Sequence, residues 1–133
     1  MINATELRLG NYVLFKSAGR ISMTAISYLH FEALNKGDVS NFFPLVLKPE
    51  LLQNCGFIEN EKYPLSPQAR EFFLTLPVIG SNKNEIAGYQ KANGECFVRA
   101  IVNGAVVSNN FFHLHQLQNL FYSLTGTELQ IKK

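Results

Sequence analysis

Two Asn-Gly pairs, Asn93-Gly94 and Asn103-Gly104, stand ten residues apart in the C-terminal half of the chain. Both central residues of a two-residue type I′ hairpin turn need positive φ, and Asn-Gly meets that demand at least steric cost. The stretch between the pairs, "ECFVRAIV", has strand composition throughout. The spacing therefore predicts a three-stranded antiparallel meander over 86–92, 95–102 and 105–112. Such a sheet buries one face and needs a second layer to cover it.

The stretch that follows, "HLHQLQNLFYSLTG" (113–126), supplies that layer. Leu114, Leu117, Phe121 and Leu124 recur at helical spacing with Leu120 beside them, and Thr125-Gly126 reads as a cap. The opposite face carries His115, Gln118, Asn119 and Tyr122, and no charged residue lies between Phe111 and Thr127 when histidine is neutral. A helix reading a DNA groove brings Arg or Lys to the phosphates, and a freely exposed face carries Glu and Lys. An uncharged polar face suits a subunit contact, where tyrosine is enriched, or a second layer of packing under the N-terminal half. Composition does not separate these two, and the four residues are the candidate partner-binding set.

In the N-terminal half, "NYVLF" (11–15) and "RISMTAISYLHFEAL" (20–34) are rich in β-branched and aromatic residues, with "KSAGR" between them as a turn. "NKGD" (35–38) is a second turn signal and "VSNFF" a further short strand. Residues 7–47 thus read as a small antiparallel β-unit, a curled sheet or partial barrel. "KPELLQNCGF" (48–57) reads as a short helix with Pro49 at its first position and Gly56 as its left-handed stop. "SPQAREFFLTL" (66–76) repeats that logic, with Ser66 as N-cap, Pro67 next, and Ala69, Phe72, Phe73 and Leu76 on one face. "GSNKNE" (80–85) is the most loop-like segment. The expectation is an α+β fold in a single domain, 1–133, with subdomains at 1–57 and 85–133.

Composition sets limits on function. Apolar residues make up 47% and charged ones 17%, which suffices for a core and is too little charge for a disordered chain. The net charge is +2 and the basic residues are scattered from Arg8 to Lys133, unlike a concentrated phosphate-binding footprint. Nucleic-acid binding is therefore the alternative reading, carried by Arg8, Lys16 and Arg20 near the first hairpin, with Tyr12, Phe15 and Tyr28 available for stacking. The N-terminus lacks the basic and apolar regions of an export signal, and no apolar run reaches the roughly 18 residues needed to span a membrane. A cytoplasmic protein is expected.

Catalytic chemistry finds little support. Cys55 and Cys96 have no CxxC near them and read as buried thiols. His113 and His115 point apart if both are helical and share a face only if both are extended, and although His30 and the two cysteines are available as further ligands, nothing in the spacing recommends them. Asp38 is the one aspartate, and neither a G-x-S-x-G elbow nor a P-loop is present. No metal and no cofactor are expected. The residues favour a non-enzymatic binding or protein-interaction module, with a homodimer as one form.

Three segments carry a resemblance: "ELRLGNYV", "PLVLKPELLQNCGF" and "HQLQNLFYSLTGTEL", in that order. They are similar to a family of small proteins from gut-type anaerobic bacteria and their phages and mobile elements. The matching positions are Glu6 to Asn11, Pro44 to Leu47, Leu51, Leu52, Gly56, Phe57, His115 to Leu124, Gly126, Glu128 and Leu129. The resemblance implies a bacterial or phage cytoplasmic setting and marks the "HQLQNL" helix as a shared signature. It supplies no activity, because none is established for the family. Residues 58–95 depart from it: "SPQAREFF", read here as a helix, stands where relatives are strand-like.

Overall fold

The computed structural model describes residues 2–60, 69–77 and 82–132. Among these residues, two antiparallel sheets and three α-helices make up an α+β fold. The first sheet holds β1 (Tyr12–Ser17), β2 (Arg20–Ala25) and β3 (Phe42–Phe43) in the order β2-β1-β3, and it stays open. The β1–β2 turn takes positive φ at Ala18 and Gly19, as a two-residue primed turn demands.

Within the strand-like stretch 20–34, β2 ends at Ala25. Residues 28–30 form a 3-10 turn that runs into α1 (Phe31–Asn35). The imidazole of His30 accepts the Ser27 backbone N–H at 2.9 Å, a local bond that turns the chain out of the sheet. Phe31 and Leu34 then pack with Ile2, Val13, Ile26 and Phe42 in a small core under one face of this sheet.

α2 (Pro49–Asn54) forms as expected, with Pro49 in its first turn and Gly56 at φ 94° beyond its end. The expected helix over 66–76 does not form where it is described. Residues 70–75 are strand β5 (Arg70–Thr75), paired with β4 (Ile58–Glu59) on one side and β6 (Asn84–Gln90) on the other. The cap residues Ser66 and Pro67 lie outside the described residues. A short apolar run fits either period, and here two neighbouring strands take the backbone hydrogen bonds.

The meander is present but altered. β6 and β7 (Cys96–Val102) pair from Asn84↔Val102 to Gln90↔Cys96. Asn103-Gly104 forms the expected primed turn, with φ 51° and 83°. At Asn93-Gly94 only the glycine has positive φ. Lys91 N–H donates to Glu95 O (2.8 Å) and Gly94 N–H to Lys91 O (2.9 Å), which makes a three-residue loop with a glycine bulge. The third strand is cut to β8 (Ala105–Val106), because Ser108 Oγ takes the Ala100 N–H at 2.8 Å and ends the ladder. The chain rejoins β7 at Phe111, which exchanges both backbone bonds with Val98.

α3 (Leu114–Thr125) ends on Gly126 at φ 74° and lays its apolar stripe on this five-stranded sheet. Leu114 and Leu117 join Leu52, Phe72, Ile86 and Val98 in the main core. No helix among the described residues is long and apolar enough to cross a membrane.

Candidate functional site

Why α3 carries an uncharged polar face becomes clear from what lies on it. The chain between Glu6 and Tyr12 is a strap laid across this face. Asn11, fully buried, closes the strap by accepting the Arg8 N–H (2.9 Å), and its amide donates to Asn119 Oδ1 (3.0 Å). Asn119 in turn donates to Glu6 O at 2.6 Å. Gln118 Oε1 accepts the Tyr12 N–H at 2.8 Å, and its Nε2 donates to Gly10 O at 3.1 Å. β3 pairs with β1 only at Leu14 and Phe15. The Gln118 carboxamide supplies a peptide-like donor and acceptor where that strand does not reach.

His115 and Gln118, at 1% and 2% exposure, are thus buried against the chain's own strap and are not available to a partner. That corrects their assignment as partner-binding residues. Asn119 is half-buried and committed to the strap, and only Tyr122 stays exposed. Arg8 lies over the Tyr122 ring at 4.6 Å, donates to Gln118 O at 3.1 Å and pairs with Glu128 through both carboxylate oxygens. Of the candidate cations, Arg8 is therefore engaged within the fold, while Lys16 and Arg20 are exposed beside the β1–β2 turn. Phe15, one proposed stacking residue, packs against Phe42 and His30 in the small core, whereas Tyr28 is 80% exposed.

His113 is extended (φ −123°, ψ 149°) just before the helix, and its ring stacks on that of His115 at 5.9 Å. His115 Nε2 lies 3.1 Å from Glu6 Oε2. Among the described residues, no group of three or more His, Cys, Asp or Glu side chains is arranged to hold a metal ion. Burial, and then neighbouring His115, hold the His113 imidazole below its ordinary value against the opposite pull of Glu6. The folded chain therefore takes up this proton less readily than the unfolded one, and stability declines as pH falls below about 6.5. The urea midpoint is expected to drop between about pH 7 and about pH 5, with a shallower drop in His113→Gln. Equal slopes in the two proteins would show that His113 does not contribute.

Cys55 and Cys96 are buried free thiols in the main core. Burial pushes Cys55 up to about 12 and Cys96 to about 11, so both stay protonated at neutral pH, the unreactive state of a thiol.

A surface feature outside the predicted set stands out on the first sheet. Met23, Leu14 and Phe43 are direct cross-strand neighbours and form an apolar row across β2, β1 and β3. Met23 and Phe43 are each 41% exposed, and Ile21, on the same face as Met23, is 58% exposed. The signal was present in "NYVLF", where both alternating sets (Tyr12 with Leu14, Val13 with Phe15) are apolar, so one face alone cannot account for it.

Two of the three segments singled out in the sequence, around Glu6–Asn11 and His115–Leu124, are the strap and the helix beneath it. Comparisons of the chain with models of protein families, with curated proteins and with solved structures find no match.

Proposed function

We propose that this protein is a non-enzymatic protein-interaction module of the bacterial or phage-infected cytoplasm that self-associates, with its contact surface on the N-terminal sheet and not on α3. The observation that carries this reading is the part-exposed apolar row Met23–Leu14–Phe43 with Ile21 beside it. Apolar side chains adjoining one another on an open sheet mark a contact surface more readily than scattered ones do. Most of the polar face of α3 is taken up by the strap, which leaves Tyr122 as the exposed member of the rival set and favours the sheet. The resemblance to proteins of anaerobic bacteria and their mobile elements supports the setting. Nucleic-acid binding is the weaker reading, since Arg8 is paired with Glu128 and only Lys16 and Arg20 remain exposed near the hairpin.

Light scattering at low and high salt, with and without a short random-sequence oligonucleotide, tests this reading. The expected result is a mass above the 15.0 kDa of one chain that survives high salt and ignores the oligonucleotide. A mass gain with oligonucleotide at low salt that vanishes at high salt would overturn it in favour of nucleic-acid binding.

A further inference from the structure

We propose that β2 is the self-association edge: two copies pair their β2 strands antiparallel about a two-fold axis at Met23, joining their three-stranded sheets into one. This rests on the self-association reading above and names its surface and its partner.

Among the described residues β2 pairs only with β1, and it forms one edge of its sheet. All six of its residues except Thr24 are exposed. Edge strands are normally blunted by Pro, a bulge or inward-pointing charge. "RISMTA" has none of these, and its single charge, Arg20, lies at the end beside the turn. The Ile26 N–H donates to Asn11 O at 2.8 Å, which fixes the phase of the β1–β2 ladder. Residues 20, 22, 24 and 26 direct their backbone groups to β1, and the alternation of an antiparallel pair turns those of Ile21, Met23 and Ala25 outward.

That phase limits the registers in which a second copy can pair. An antiparallel strand can hydrogen-bond to this edge only through outward groups of its own, so self-pairing must match the set 21, 23, 25 with itself. With Met23 on the axis, Ile21 faces Ala25 of the second copy, and each such pair exchanges both N–H···O bonds. Ser22 then faces Thr24, a favourable cross-strand pair. The two Arg20 side chains fall at opposite ends of the joined ribbon, so like charges do not meet. The apolar row Phe43–Leu14–Met23 continues without a break into its own copy. The contact is isologous and closed, leaving no β2 edge for a third chain.

Residue 23 faces itself in this arrangement, which gives a charge test on the full chain. Wild type is expected at twice the mass of one chain. Met23→Lys and Met23→Glu, each alone, are expected at single-chain mass with unchanged circular dichroism, since Met23 is 41% exposed, and with a melting temperature lower only by what association contributed. Mixing the two variants is expected to restore the doubled mass. A doubled mass that persists in both single variants would place the contact elsewhere, overturning this inference while self-association stands. Single variants that do not recover on mixing would overturn the Met23 axis. A wild-type chain at single-chain mass throughout would overturn the edge itself, and oligonucleotide-dependent mass would overturn the underlying reading.

Discussion

Gln118→Leu is expected to lower the unfolding free energy by about 1–3 kcal/mol, although leucine nearly matches glutamine in volume and is the more apolar residue. The argument is one of partners. Gln118 is 2% exposed and bonds with the Tyr12 N–H and the Gly10 carbonyl. Leucine takes both interactions away: Gly10 is exposed and its carbonyl can turn to water, whereas the N–H of half-buried Tyr12 loses its partner beside an apolar side chain, at a cost of about 1–3 kcal/mol. Replacing the side chain by an apolar isostere is near neutral only when both partners change together, and a backbone cannot change. Urea unfolding would measure the loss, and hydrogen exchange would locate it: the amides of residues 6–12 should exchange faster than those of β7. A loss under about 0.5 kcal/mol, within the range of ordinary surface substitutions, would mean that α3 does not hold the strap.

The same residue shows what could be read from the sequence and what could not. The chain places Gln118 on the polar side of an amphipathic helix, and period alone makes that assignment. Burial of that side under residues 6–12 depends on a contact more than a hundred positions away in sequence. The absence of charge from Phe111 to Thr127 registered the burial without naming the cover. Local chemistry was legible where it was self-sufficient: Pro49 and Gly56 bracket α2, Asn103-Gly104 makes its turn, and Gly126 stops α3. It failed where neighbours decide. "REFFLT" satisfies helical spacing, but β4 and β6 on its two sides make it a strand, with Phe72 inward opposite Gly88. The exposed row on the first sheet was missed for the converse reason. A strand apolar on both faces signals two contacts, and the second can belong to a surface that the chain leaves open.

Leu52→Ala is expected to cost about 2–5 kcal/mol, because a fully buried leucine leaves both its transfer energy and a cavity behind. The sharper test couples it to Gly88. Gly88 stands in β6 between Phe72 and Val98, and a Cβ built there would lie 2.9 Å from Leu52 Cδ1, 3.5 Å from Phe72 Cβ and 3.6 Å from Val98 Cγ1. Its φ is not positive, so the glycine serves close approach of α2 to the sheet and not a special backbone conformation. Gly88→Ala alone is therefore expected to cost about 1–3 kcal/mol by overpacking. The contact at fault is a leucine methyl, and removing it should make room. In the Leu52→Ala background the added methyl enters space that Leu52 vacated, so the double variant should be more stable than the sum of the single losses predicts, by about 1 kcal/mol or more. Denaturant unfolding of the four proteins measures this. Strict additivity would mean that β6 or α2 shifts to accept a side chain at 88, and that Leu52 does not set their separation.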